Sequence, residues 1–216
     1  MTDFLIRQDH KKLEIKSKGK IIEFLSSQQT GRIASIDESG FPQIIPMNFV
    51  FINDTVYMHS HIRGEKLDNI RRNQKVGFEV DKSLEFLPSY FSDPTDASLA
   101  DTLYISVVIK GNASIVSNKE EKTIALNGLM KKYQPEGGYE SIKPNMDVLK
   151  GVEVIKIVPE SLRGKYKIGQ NMDMKSRIDL ARQILERNSH TAKETLDVMG
   201  FEIINNELEL VDYAPW

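Results

Sequence analysis

The chain has 216 residues, 40% of them apolar and 28% charged, enough for one globular domain with or without a terminal extension. A formal charge of −2 gives no general pull toward nucleic acid or anionic membranes. There is no cysteine, which excludes disulfides, zinc–thiolate and iron–sulfur sites and any thiol nucleophile.

The N-terminal basic residues Arg7, His10, Lys11, Lys12 and Lys16 precede no apolar segment of signal-peptide type. No apolar run approaches the roughly 20 residues that span a bilayer. The expectation is a cytoplasmic protein with no membrane or nucleic-acid partner.

In chain order, the clustered Ile21, Ile22, Phe24 and Leu25 predict a short amphipathic helix over 18–27. A strand over 32–36 follows, then a hairpin turn at Asp37-Glu38-Ser39-Gly40. A second strand is read over 41–51. Pro42 and Pro46 lie inside it, and proline cannot donate to a ladder, so this strand lies at an edge or is broken by a bulge. Asn53-Asp54 makes the next turn, 55–59 the third strand, and 64–73 a helix with Leu67 and Ile70 on its apolar face. A fourth strand spans 75–80. Residues 84–100, with two prolines, read as a long loop. A strong β run covers 103–110 and continues over 112–116. Residues 119–133 form a helix, 134–144 a Pro/Gly loop, and 152–158 the sixth strand. Residues 161–170 stay unassigned. Helices over 176–187 and 191–199 and a hairpin around Asn205-Asn206 complete the chain. Short strands with turns every ten or so residues indicate a closed antiparallel barrel with helical decorations, not a doubly wound parallel sheet.

The large phosphate-cradle and hydrolase signatures (GxGxxG, GxxxxGK[ST], GxSxG, HExxH) are absent. His59 and His61 share one face of a strand end, a spacing that suits chelation, but no third ligand accompanies them and no metal site is assigned. The loop from His59 to Lys66 carries more chemistry. Ser60 offers a hydroxyl, Arg63 and Lys66 offer charge, Gly64 lets backbone approach an anion, and a helix begins there with free N–H groups. On its own the loop reads as a solvated turn somewhat more readily than as a phosphate site.

The order of segments resembles a family. GRIAS, PQIIPMNFVF, VYMHSHIRGEKLDNIRRNQKVGFEV, the Tyr104–Gly111 strand, the helix over 120–133 and the Lys165–Asn171 stretch are similar to the FMN-binding split-barrel proteins related to pyridoxamine phosphate oxidase, nearest the nitroimidazole-resistance branch. The resemblance implies a six-stranded antiparallel split β-barrel over 1–171 and a C-terminal helical extension over 172–216, packing on the barrel or on a dimer partner. It implies a homodimer holding FMN at the subunit interface. By the same resemblance, Pro46, Met47, Asn48 and Phe49 line the flavin ring, largely through backbone. Met58, His59, Ser60, Arg63 and Lys66 belong to the phosphate-binding stretch. Ser106 contacts the flavin, and Gln170 and Asn171 close over it. No catalytic side chain is assigned, because a flavin brings the redox chemistry itself. The C-terminal Arg and His segment of vitamin B6 oxidation is not found. The implied activity is an FMN-dependent oxidoreductase acting on a small molecule, with NAD(P)H as electron source. Alternatives are a haem-binding or haem-degrading split barrel with His59, His61 or His190 as axial ligand, a non-catalytic flavin-binding regulatory protein, or a deazaflavin in place of FMN. The aromatic tail ending at Trp216 reads as packing on an apolar surface.

Overall fold

The structure, a computed structural model, describes residues 13–204 and 207–211. Its helices are α1 (Lys18–Ser27), α2 (Glu65–Arg72), α3 (Lys119–Tyr133), α4 (Met174–Arg187) and α5 (Ala192–Val198). Its strands are β1 (Thr30–Ile36), β2 (Pro42–Asn48), β3 (Val50–Ile52), β4 (Thr55–His61), β5 (Lys75–Leu87), β6 (Asp101–Ile115), β7 (Val152–Lys167), β8 (Phe201–Ile204) and β9 (Glu207–Leu210). Strands β1 to β7 form one sheet in the order β2-β1-β5-β6-β7-β4-β3, and β8 pairs with β9. The chain divides into two compact units. The first is Gly19–Val80 with Val107–Arg163, and the second is Met1–Lys18, Asp81–Ser106 and Gly164–Trp216. Among the described residues no helix is long and apolar enough to cross a membrane.

The prolines place β2 as expected, at an edge, where a missing ladder donor is tolerated. The 41–51 strand, however, is two strands. Asn48 ends β2 at one edge of the sheet, and Val50 opens β3 at the other. Phe49 alone joins them. One residue spans about 3.5 Å, whereas six strand spacings of about 4.8 Å separate the edges of a flat sheet of this order. The sheet of the first unit therefore curls until its edges approach, giving a split barrel. It is not closed by hydrogen bonds, and it has seven strands rather than six because of this division at Phe49.

Both turn predictions are borne out. The Phe41 N–H donates to the Asp37 carboxylate at 2.8 Å across the first turn. Asn53 and Asp54 have φ of 50° and 59°, the left-handed pair that a two-residue hairpin requires. Three strands run longer than their apolar segments suggested: β5 continues to Leu87, β6 starts at Asp101, and β7 continues through the unassigned 161–170 stretch to Lys167. The 84–100 loop shrinks to two 3-10 turns, Ser89–Phe91 and Ala97–Leu99. The Asn205-Asn206 turn, His10 and the Trp216 tail lie outside the described residues.

In the first unit α3 caps one core cluster. Ala125, Leu126 and Leu129 pack with Tyr57, Val116, Leu149 and Val154. Asn118 caps this helix, its side chain accepting from the Glu121 N–H at 2.8 Å. Gly31 is demanded by packing, since a Cβ there would lie 2.1 Å from the Phe78 ring.

Candidate functional site

The corner between β2 and β3 is built by Phe49 and Tyr133. Phe49 is fully buried, with its ring 5.2 Å from that of Phe78 in an edge arrangement. The Tyr133 hydroxyl accepts from the Phe49 N–H at 2.9 Å and donates to the Gln29 carbonyl at 2.5 Å, with the Phe49 carbonyl at 3.1 Å. Both backbone groups of Phe49 thus face Tyr133. With its backbone engaged in this way, Phe49 holds the corner of the barrel. The residues before it stay accessible. Pro46 and Asn48 are exposed and Met47 is half-buried, opposite Arg32, Thr30 and Gly31 of β1.

The end of β4 is organised differently on its two sides. Along β7 it is paired throughout, from Val56–Ile157 to His61–Val152. On the other side β3 pairs only with Thr55, Val56 and Tyr57. From Met58 onward that side has no ladder partner among the described residues. The side chains alternate accordingly. Met58 is fully buried in the core and so presents no side chain to a ligand, whereas His59 and His61 are exposed. Ser60 is the exception to the polar-out pattern. It is buried, and its Oγ has no hydrogen-bond partner. Such an orphaned group costs about 1–3 kcal/mol, a cost that a bound water or ligand atom would remove.

The loop and helix next to Ser60 supply suitable donors. The Arg63 N–H donates to His61 Nδ1 at 3.2 Å, which leaves the proton of the neutral ring on Nε2. Gly64 has φ 151° and ψ 148°, a region that essentially only glycine occupies, with open space where a Cβ would stand. It precedes α2, whose first turn no side chain caps. Among the described residues neither Arg63 nor Lys66 has an ion-pair partner. The carboxylate of Asp68 in the same turn is held by Arg71 at 2.8 Å. Buried Asn69 fixes the helix from below, donating to Ser35 Oγ at 3.4 Å and Gln43 Oε1 at 3.2 Å and accepting from Arg72 at 3.2 Å. A buried unpartnered hydroxyl, two uncompensated cations and an uncapped helix start are the chemistry of an anion site.

The other residues named by resemblance lie in the second unit. Ser106 is half-buried on β6, and Asn171 is exposed. Gln170 is engaged by its own backbone: its Oε1 accepts from the Ile168 N–H at 3.0 Å and its Nε2 donates to the Tyr166 carbonyl. Its amide shapes the turn after β7 and is not free for a ligand. Among the described residues no group of three His, Asp or Glu is placed to hold a metal.

The sequence profile of the family described as pyridoxamine 5′-phosphate oxidase matches residues 17–166, more than half of the chain. The chain belongs to this family. No curated protein matches the sequence. Among solved structures, it is similar to a candidate 5-nitroimidazole antibiotic resistance protein from Bacteroides thetaiotaomicron, 24% identical over 71% of this chain and 86% of that one, with a TM-score of 0.60. A flavocytochrome from Azotobacter vinelandii is 17% identical over 77% of this chain and 74% of its own, with a TM-score of 0.63. An FAD- and haem-binding protein from Mycobacterium smegmatis is 13% identical over 77% and 79%, with a TM-score of 0.62. At these identities the likeness is one of fold.

Two features of this family member escaped the sequence reading. Tyr133 and Lys132 end α3 and looked like its polar terminus, yet they stand three and four positions after buried Leu129 and so continue its inward face. That spacing was the available signal. In the second unit, Glu85 is buried, its carboxylate accepting from Arg187 at 2.6 Å, Ser189 at 2.5 Å and Thr191 at 2.6 Å. These donors are about a hundred residues away in sequence, and nothing local announces them.

Proposed function

We propose that this protein is a cytoplasmic FMN-dependent oxidoreductase acting on a small molecule, with NAD(P)H as electron source. The observation that carries the reading is the buried Ser60 hydroxyl without a partner, beside the uncompensated Arg63 and Lys66 at the start of α2. Ser60 donates to the FMN phosphate, Arg63 and Lys66 neutralise it, and Gly64 keeps the approach clear. The Pro46–Asn48 backbone, on an edge strand, borders the flavin ring. When bound, the flavin supplies two-electron redox chemistry; the residues of this chain place it and set what reaches it. Phe49 and Gln170 are not part of this proposal, because their polar groups are occupied. Ser106 and Asn171 remain candidates by resemblance.

The working form is a homodimer. Edge strand β2 carries Ile44 at 62% exposure, and Phe41 beside it stands at 69%, an apolar face of the kind a second copy covers. The test is titration of the purified protein with FMN, followed by flavin fluorescence, then NAD(P)H oxidation with a panel of acceptors. Absence of binding at micromolar FMN refutes the proposal. Binding without turnover for any acceptor leaves a flavin-binding regulatory protein.

One observation favours a second reading. His59 and His61 lie exposed on the same face of the β4 end, where either imidazole is open to solvent. A haem held by either imidazole would show a Soret band with haemin that one His→Ala change abolishes. The haem-binding neighbours in the same fold support testing it.

A further inference from the structure

Lys132 is unused by the flavin reading, and its surroundings are unusual for a lysine. It lies in the last turn of α3, in a cleft of about 450 Å³ lined by Ser26, Val50, Phe51, Ile52, Gly128 and Lys131. Its Nζ sits 3.7 Å from the centre of the Phe49 ring and donates to the Leu25 carbonyl at 3.0 Å. Among the described residues no carboxylate pairs with it. The titratable groups facing it are Lys131, on the same cleft wall, and Tyr133, whose ring centre is 5.6 Å from Nζ. Burial brings its pKa down to about 8. The ring face and the Leu25 carbonyl hold the resting ammonium, and neither prevents release of a proton to solvent. An ion pair is thus not what this lysine is built for. An amine with apolar walls, one exchangeable hydrogen bond and a second lysine on the same cleft wall is suited to act as a nucleophile.

We propose that Lys132 captures a small aldehyde bearing a negative charge, as a reversible imine. The neutral Nζ adds to the carbonyl carbon, a C–N bond forms, and the C–O π pair moves to oxygen, which takes up a proton. The positively charged nitrogen gives up one of its two hydrogens, which balances the proton taken up by oxygen. The carbinolamine hydroxyl departs as water with a proton from the Lys131 ammonium, the C=N bond closes as an iminium, and the iminium N–H proton returns to the Lys131 amine. Amine and aldehyde give imine and water, with no electrons exchanged. Lys131 also supplies the charge that selects an anionic aldehyde. Val50, Phe51 and Ile52 limit the water that would hydrolyse the product.

The test uses the intact protein with glyoxylate or with uncharged propanal at equal concentration, trapping imines with cyanoborohydride and mapping the added mass to each lysine. At pH 7.5 an amine titrating near 8 is about one-quarter neutral, against about one part in a thousand for an ordinary lysine. Restricted access and lower basicity take back part of that ratio. Glyoxylate is expected to label Lys132 about ten times faster than any other lysine, with the rate half-maximal near pH 8. Propanal labels it more slowly, and Lys131→Gln lowers the glyoxylate rate while sparing the propanal rate. Labelling of Lys132 no faster than that of exposed lysines overturns the proposal. So does an equal rate with the two aldehydes. Neither result depends on whether FMN binds.

Discussion

Replacing Ser60 by alanine separates a ligand role from a structural one, because the two predict effects of opposite sign. Ser60 is 4% exposed and its Oγ is unpaired. In the ligand-free protein the hydroxyl is a buried group without compensation, at a cost of about 1–3 kcal/mol. Ser60→Ala removes that cost, so the free protein should gain about 1 kcal/mol. For a chain of this size that raises Tm by about 2–4 °C. With FMN the sign reverses. A hydrogen bond to a charged phosphate contributes about 1.5–3 kcal/mol, so its loss should weaken FMN binding by about 10- to 100-fold. Thermal melts with and without FMN, combined with fluorescence titration, read both quantities on one preparation. A variant that melts lower than the parent and binds FMN with unchanged Kd would show that the hydroxyl serves the fold, and the phosphate assignment would fall.

Three further outcomes follow from particular contacts. Ile44→Asp puts a charge on the exposed apolar face of β2 and should convert a dimer to monomers in sedimentation without lowering Tm by more than about 1 kcal/mol equivalent; an unchanged dimer would place the interface elsewhere. Tyr133→Phe leaves the buried Phe49 N–H without its acceptor and should cost about 1–3 kcal/mol in urea unfolding; a change under about 0.5 kcal/mol would mean that the corner does not depend on this bond. Lys132 binds its proton less tightly folded than unfolded, so the unfolded chain holds more protons between about pH 8 and the ordinary lysine value. Stability should therefore rise with pH across that window, relative to a Lys132→Met variant in which this contribution is gone; parallel pH profiles would contradict the burial of the amine. The Tyr57 hydroxyl, pushed up to about 12 mainly by burial, acts in the opposite sense only above pH 10, where stability is lost as it ionises.

Local chemistry in the sequence was enough for the elements governed by neighbouring residues. The α1 and α3 boundaries, the Asp37 and Asn53-Asp54 turns and the edge position of β2 follow from side-chain periodicity, left-handed turn residues and the missing proline donor. The loop of Ser60, Arg63, Gly64 and Lys66 was legible for the same reason, since its donors lie within seven residues. What depended on distant partners was not legible. Whether Ser60 is buried and unpaired is decided by the pleat of β4 against β7, and whether Phe49 lines a ligand or turns a corner is decided by Tyr133, 84 residues later. A strand is an extended run wherever it pairs, so residues 41–51 looked like one strand. Only tertiary structure shows that its two parts lie at opposite edges of one sheet, because the identity of a pairing partner is a long-range property that no local pattern encodes.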